Sequence, residues 1–249
     1  MPKVEYISQG MLRDFQKVRE KELCSLKWHS MYLGSHKFTP TESMLAGLVF
    51  EQQVIGMSRG GEVYNFPKLK SGKDSKIEID INNLSIFAKE TLITLDMKLL
   101  EVQPEWKVDD LIGHPDALIT FKGEKAIMDL KYTATKEDDS ARWNPFAWGR
   151  DLEYKDYSQA VQYVEMYYRM TGEYLPFFFL VFGKSGWVKL ISIDVSKAAL
   201  LEHSDKLDAF KEDVKHFEFE GSSSYSECRK CNINCLERVL EPNCITIEI

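Results

Sequence analysis

The chain has 249 residues, a hydrophobic content of 44% and a formal net charge of −7, which is typical of a globular protein and excludes collagen-like and disordered classes. No apolar run approaches the ~18 residues of a membrane helix, and residues 1–10 lack the apolar core of a secretory signal, so we expect an intracellular, cytoplasmic protein with no membrane partner. The excess of acidic over basic residues argues against a protein that binds nucleic acid through bulk positive charge.

Helical patterns dominate the N-terminal region. Residues 9–32 are predicted to be helical, and a second helix is predicted to start at Thr39, with Pro40 in its first turn and Glu42 completing a capping box. Apolar residues recur along this helix at helical spacing, and Glu51 lies in the same stripe as Met44, Gly47, Leu48 and Ile55. The Gly-, Ser- and Lys-rich residues 59–76 indicate a loop or an insertion.

Strand patterns follow. Strands are predicted near 94–102, 109–121 and 126–132, the last two joined as a hairpin by a four-residue loop. A polar, aromatic-rich stretch then leads to a helix at 158–170 that ends at Gly172. A second hairpin, a helix and a cysteine-bearing tail follow at 176–195, 196–217 and 218–249. This order predicts an α/β fold, with a mixed sheet flanked by helices, in a single domain over 1–249 that comprises N-terminal helices (1–58), a core (94–217) and the tail.

The predicted strand 126–132 carries an acid and a base on one face. Because side chains alternate along a strand, Asp129 and Lys131 point the same way, while the apolar residues between them point to the other face. Pairing around a four-residue loop sets Leu118 opposite Asp129 and Asp116 opposite Lys131. Asp116 is then a diagonal neighbour of Asp129, within reach of a shared cation.

Two carboxylates beside a lysine suit metal-assisted hydrolysis of a phosphodiester. Carboxylate oxygens hold Mg²⁺ or Mn²⁺ and leave positions for water and phosphate. The ion polarises the phosphoryl group, and Lys131 can orient the attacking water or stabilise the charge that develops. An Asp-x-Lys pair alone is also a common surface feature, so the interpretation depends on further residues.

Three features support it. A carboxylate in an apolar stripe is unfavourable unless it is paired or bound to a cation, so Glu51 is a candidate third metal ligand, with a helix-edge glutamate that reaches solvent as the alternative. Asp116 follows Gly113-His114-Pro115, where the chain can bend to bring the acid into the site. Gln159 and Tyr163 share a helical face and can present an amide and a phenol to a phosphate or to the metal site.

In this order, the residue Glu51 and the motifs GHPDALI (113–119), IMDLKYT (127–133) and QAVQY (159–163) resemble the PD-(D/E)XK nuclease superfamily, in particular its RecB-like branch with the Q-x-x-x-Y motif. The resemblance implies a restriction-endonuclease-like core that cuts DNA with Mg²⁺ or Mn²⁺. Asp116 and Asp129 would be metal ligands, Lys131 the catalytic lysine, and Gln159 and Tyr163 the substrate-side motif. Many RecB-like members carry histidine where this chain has Glu51, whereas other exonuclease branches carry glutamate, so the subfamily and the number of metal ions stay open.

The cysteines suggest a second bound group. Cys24 lies near the N-terminus, and four more cluster near the C-terminus at 228, 231, 235 and 244. Thiolates at this spacing suit Zn²⁺ or an iron–sulfur cluster, with buried or reactive thiols that bind nothing as the alternative. The arrangement resembles the iron staple of RecB-like nucleases of the AddB and CRISPR-associated type. That resemblance implies a 4Fe-4S cluster on Cys24, Cys228, Cys231 and Cys235, with Cys244 as the alternative to Cys235.

Two segments bear on the substrate. Candidate basic patches lie at Lys68, Lys70, Lys73 and Lys76 and at Arg142 and Arg150, and the aromatic residues Trp143, Phe146 and Trp148 can stack on single-stranded bases, although loop roles are the alternative for each. We therefore expect an exonuclease that acts on single-stranded DNA or DNA ends, with protein partners in a recombination, repair or CRISPR adaptation complex. The alternatives are a DNA-binding or assembly subunit that does not cut and a zinc-stabilised interaction module without nucleic acid.

Overall fold

The computed structural model describes residues 4–34, 40–68, 70–135 and 156–219. They form two compact units, one from the described residues up to 34 together with 201–219, the other from the described residues between 40 and 200. The single domain expected over 1–249 stays a prediction. Thr39, the aromatic segment at 142–150 and the cysteines from 228 to 244 lie outside the described residues.

The larger unit is built on a mixed sheet, as the sequence predicted. Its strands are Lys98–Val102 (β1), Ala117–Phe121 (β4), Glu124–Thr133 (β5), Phe177–Gly183 (β6) and Val188–Ile193 (β7), and a separate two-stranded ribbon consists of Trp106–Val108 (β2) and Leu111–Gly113 (β3). The five-stranded sheet has the order β1-β4-β5-β6-β7. β5 and β6 run parallel, whereas the other neighbours in this sheet run antiparallel. All of β6 is buried, as expected of a central strand.

The turn between β4 and β5 is shorter than predicted. Phe121 pairs with Glu124, so the turn contains only Lys122 and Gly123 rather than four residues. Both turn residues have left-handed φ angles, 53° and 87°. Two positive φ angles in a two-residue loop are typical of a type I′ turn, whose twist matches that of the flanking strands.

This turn also corrects the predicted register. Leu118 pairs with Ile127 rather than with Asp129, a shift of two residues. Because side chains repeat every two residues along a strand, the shift leaves Asp129 on the predicted face. Ala117 pairs with Met128, so continuing this register by one residue sets Asp116 opposite Asp129 instead of opposite Lys131.

Two helices cover the other face of the sheet, Glu42–Ile55 (α3) and Lys76–Thr94 (α4). Their inner residues join alternate residues of β4, β5 and β6 in a core that includes Ala46, Val49, Phe50, Ile81, Leu84, Ala88, Ile119, Met128, Leu130, Leu180 and Phe182. Helix α4 is not among the elements predicted from the sequence. A short 3₁₀ turn, Arg59–Gly61, lies in the predicted loop between the two helices.

Helix α3 starts later than predicted. Its N-cap is Thr41, whose side-chain oxygen accepts a hydrogen bond from the Met44 N–H at 3.3 Å. Glu42 is therefore the first helical residue, and the capping box predicted from Thr39 is wrong. The predicted apolar stripe is also wrong in part, because Met44 is 48% exposed. The buried face carries Ala46, Val49, Phe50, Val54 and Ile55, and Glu51 lies half-buried beside it.

A fifth helix, Ser158–Thr171 (α5), packs on the β2–β3 ribbon and on β6. It ends at Gly172, which has a φ of 79° and donates its N–H to the Tyr168 carbonyl at 2.8 Å. The predicted helix and its C-cap are confirmed. The β6–β7 hairpin and the helix Lys197–His216 (α6) also lie where they were predicted.

The smaller unit joins the start of the chain to the end of its described part. Residues 9–32 form two helices rather than one, Gln9–Arg19 (α1) and Ser25–Tyr32 (α2). Phe15 of α1 contacts Trp28 of α2 and Phe210 of α6, with ring centroids 5.0 and 5.1 Å apart. None of the helices in the described parts of the chain is both long and apolar enough to cross a bilayer.

Candidate active site

The structure brings Asp116, Asp129 and Lys131 together in the larger unit. Asp116 immediately precedes β4, and the other two lie on the same face of β5. Asp116 is 5% exposed, Asp129 1% and the Lys131 side chain 28%. The Lys131 ammonium forms an ion pair with Asp129 Oδ2. The backbone N–H of Leu130 donates to Asp116 Oδ2 at 2.7 Å, which fixes the second acid against the strand.

The carboxyl group of Asp116 lies in a strongly negative environment. Burial raises its pKa well above the usual range, and the charges of Asp129 and Glu51 raise it further. The Lys131 ammonium and the Leu130 N–H lower the pKa, but by less. Three acidic groups therefore lie close enough to disfavour one another's ionisation, and a bound divalent cation would offset that repulsion.

Lys131 supplies positive charge at this point. Burial lowers the pKa of its ammonium, but the charges of Asp129 and Asp116 outweigh burial and raise the pKa above its ordinary value. Lys131 therefore stays protonated at neutral pH. Its Nζ also lies 5.6 Å from the centre of the Phe179 ring on β6, a favourable cation–π position.

Helix α5 contributes the predicted amide and phenol. Gln159 Nε2 donates to Asp129 Oδ1 at 2.5 Å, and the Tyr163 hydroxyl donates to the His114 carbonyl at 3.0 Å. One helical face thus orients both the buried acid of β5 and the loop that carries Asp116. The resemblance implied that these two side chains belong to a substrate-side motif. In the structure, both side chains form hydrogen bonds to other residues of the chain.

Gly113 allows this helix to approach the loop. A Cβ atom at this position would lie 2.8 Å from Tyr163 Cε1 and 2.9 Å from Met166 Sδ. Both distances are well below van der Waals contact, so any side chain at this position would force Tyr163 or Met166 to shift. The glycine of the GHPD segment is therefore explained by the packing of α5.

Sequence reasoning missed Gln103. This residue follows β1, and its Nε2 donates to Glu51 Oε1 and, at 3.3 Å, to Asp116 Oδ1. The amide group thereby links the predicted third ligand to the first. Its signal in the sequence is weak, since a polar residue before Pro104 only indicates a turn.

The donor set fits Mg²⁺ or Mn²⁺ by its chemistry. Glu51, Asp116 and Asp129 offer carboxylate oxygens, the ligands that hard divalent cations prefer. The buried Oε1 of Gln103 has no hydrogen-bond partner among the described residues. No three His, Cys, Asp or Glu side chains of the described chain are already spaced as a metal cage. Hydrogen-bond donors contact the acids instead: the amide of Gln103 contacts Glu51 and Asp116, and the ammonium of Lys131 contacts Asp129.

Two other sequence candidates lie outside this site. Cys24 is the N-cap residue of α2 in the smaller unit, and its predicted partners at 228–244 lie beyond the described residues. In the candidate basic patch, Lys68 pairs with Asp74 at 2.6 Å and with Glu78 at 2.8 Å. This lysine is neutralised by its own neighbours, which weakens the case for a nucleic-acid patch there.

Comparisons with known proteins show a shared fold. Thirteen chains of solved structures match this one. Among them is a crystal structure from Eubacterium rectale, described as a candidate exonuclease, with a TM-score of 0.65 and 18% sequence identity over 92% of this chain and 89% of the other. No family model and no curated protein match the sequence.

Proposed function

We propose that this chain is a Mg²⁺- or Mn²⁺-dependent nuclease that hydrolyses phosphodiester bonds in DNA, as an exonuclease acting on single strands or ends. The observation that carries the proposal is the ion pair between Lys131 and the buried Asp129 beside Asp116, with Glu51 close enough to raise the pKa of Asp116. The fold shared with a protein described as an exonuclease supports it. The motif resemblance to RecB-like nucleases points the same way.

The residues divide into ligands and positioning groups. Glu51, Asp116 and Asp129 would hold the cation. When bound, Mg²⁺ or Mn²⁺ supplies a Lewis acid that polarises a phosphoryl oxygen and lowers the pKa of water. Lys131 places a permanent positive charge where the phosphate's negative charge increases during hydrolysis. Gln159 holds the Asp129 carboxylate in one orientation through its amide hydrogen bond.

The decisive experiment is degradation of DNA labelled at either end, single- or double-stranded, with Mg²⁺, with Mn²⁺ or with EDTA. We expect metal-dependent loss of label by the wild type. Lys131→Met and Asp129→Asn should lower the rate at least ~100-fold, because the first removes the positive charge at the reacting phosphate and the second removes a ligand of the cation. The pattern of products separates cutting at ends from internal cutting.

Lys184→Met is a matched control. Lys184 is also a partly exposed lysine of the same unit, 33% against 28%, and it also pairs with an aspartate, Asp80 at 3.4 Å. Its loss should leave cleavage unchanged. Full activity in Asp129→Asn would refute the mechanism. DNA binding without cleavage by the wild type would favour the non-cutting subunit instead.

A 4Fe-4S cluster on Cys24, Cys228, Cys231 and Cys235 is the second part of the proposal. Support comes from the smaller unit, where Phe219 stacks on Trp28 with ring centroids 5.7 Å apart and also contacts His29. Through these contacts, Phe219 lies beside residues that follow Cys24 by only a few positions in the sequence. The nine residues from there to Cys228 can span about 30 Å when extended.

Anaerobic purification tests the cluster. We expect brown protein with broad visible absorbance and about four irons per chain, as four thiolate ligands of one cluster imply. Cys24→Ser should lose the iron, and comparison of Cys235→Ser with Cys244→Ser identifies the fourth ligand. A colourless protein that contains zinc would replace the iron assignment and leave the nuclease proposal standing.

A further inference from the structure

Gln103 is held in place by its backbone. It directly follows β1 and has a left-handed φ of 48°, a conformation that is unfavourable for a residue with a side chain. Its N–H donates to the Asp116 carbonyl at 2.9 Å. The main chain therefore fixes Gln103 beside the residue that its side chain also contacts.

The side chain joins two acids that would otherwise repel each other. Its Nε2 donates to Glu51 Oε1 and to Asp116 Oδ1, so a single NH₂ group serves two carboxylates. Glu51 is 52 residues away in sequence, on α3, and Asp116 is 13 residues away, before β4. The charge of Glu51 is one reason that the pKa of Asp116 is raised. Without the bridge, repulsion would favour separation of the two groups.

The oxygen of the same amide group is a second observation consistent with a cation site. Gln103 Oε1 is buried and has no hydrogen-bond donor among the described residues. A buried oxygen without a partner is destabilising, and an oxygen of this type is a ligand that Mg²⁺ and Mn²⁺ accept. The same amide group therefore has its NH₂ on two carboxylates and its oxygen buried without a partner among the described residues.

We propose that Gln103 is a positioning residue for the divalent-cation site, whose amide holds the carboxylates of Glu51 and Asp116 together. The inference rests on the proposed function, because it assigns a role at the same site. The side chain sets the affinity for the cation by fixing the separation of two ligands before the cation arrives. Groups that orient metal ligands typically change metal affinity 10–100-fold when they are removed.

Two substitutions test this. Gln103→Asn keeps an amide and tolerates the left-handed backbone, but it is one methylene too short to reach both acids. Gln103→Met keeps the length and removes both donors. The dissociation constant of Mn²⁺, measured by electron paramagnetic resonance, should rise about 10–100-fold in both. Gln53→Met is the matched control, because this glutamine of α3 donates to Asn82 Oδ1 at 2.7 Å and does not contact the acids.

The outcomes separate the two proposals. The inference is supported if both Gln103 variants bind Mn²⁺ weakly while their melting temperatures in EDTA stay near that of Gln53→Met. It is overturned if they bind Mn²⁺ like the wild type while Asp129→Asn does not bind it. Wild-type protein that binds Mn²⁺ in a Gln103-dependent way but leaves labelled DNA intact would refute the nuclease function and retain the role of Gln103. Wild-type protein that does not bind Mn²⁺ would refute both.

Discussion

Gly113→Ala should destabilise the protein, whereas the same substitution at Gly47 should stabilise it. At Gly113 the added methyl group would lie 2.8 Å from Tyr163 Cε1 and 2.9 Å from Met166 Sδ. Overpacking of this kind costs about 1–3 kcal/mol. At this chain size each kcal/mol changes the melting temperature by about 2–4 °C, so we expect a decrease of about 2–12 °C.

Gly47 is the matched control. It lies inside α3, and apart from the helix's own backbone an added Cβ would have no atom of the described residues within 4 Å. Replacing glycine by alanine inside a helix adds about 0.5–1 kcal/mol of stability, since the unfolded chain loses freedom. Calorimetric melting of the two variants should therefore give shifts of opposite sign. Equal melting temperatures of Gly113→Ala and wild type would refute the close approach of α5 to the loop.

Three further predictions concern charge, metal and one hydrogen bond. Folding raises the pKa of Asp116, so the folded state retains a proton that the unfolded chain releases. The free energy of unfolding in EDTA should therefore fall as pH rises from about 4 through the folded pKa. Asp116→Asn should reduce that slope in urea denaturation, and an equal slope would contradict this. Mn²⁺ at 100 times its dissociation constant should stabilise the wild type by about 2.7 kcal/mol in calorimetry. A similar response in Asp129→Asn would count against the site. Tyr163→Phe should lose about 1 kcal/mol, because the hydrogen bond to His114 is removed, and an unchanged urea midpoint would refute that.

The face of β5 that carries Asp129 and Lys131 could be predicted because it depends on a local rule. Alternation along β5 placed Asp129 and Lys131 together whatever the neighbouring strand did, so a two-residue error in register did not separate them. The loop length was wrong because Lys122-Gly123 lacks the Asn-Gly or Asp-Gly signature of a type I′ turn. The polar Glu124 and Lys125 therefore resembled loop residues, although they begin β5.

Helix α4 and Gln103 could not be predicted, for different reasons. Ile79, Ile86 and Ile93 are exposed on the outer side of α4 while its inner side is also apolar, so the helical period is blurred. Gln103 has its role only through contacts with residues 52 and 13 positions away. The residues around position 103 give no local pattern that predicts either contact. The motifs of β5 and α5, by contrast, are continuous segments that can be recognised in the sequence.

The hydrogen bonds that assemble the site join residues 52, 30 and 14 positions apart. A growing chain that has left the ribosome only as far as β5 still lacks the amide that orients its buried aspartate. The cluster of Asp116, Asp129 and Gln159 would thus assemble late, after β6 has closed the sheet and α5 has docked.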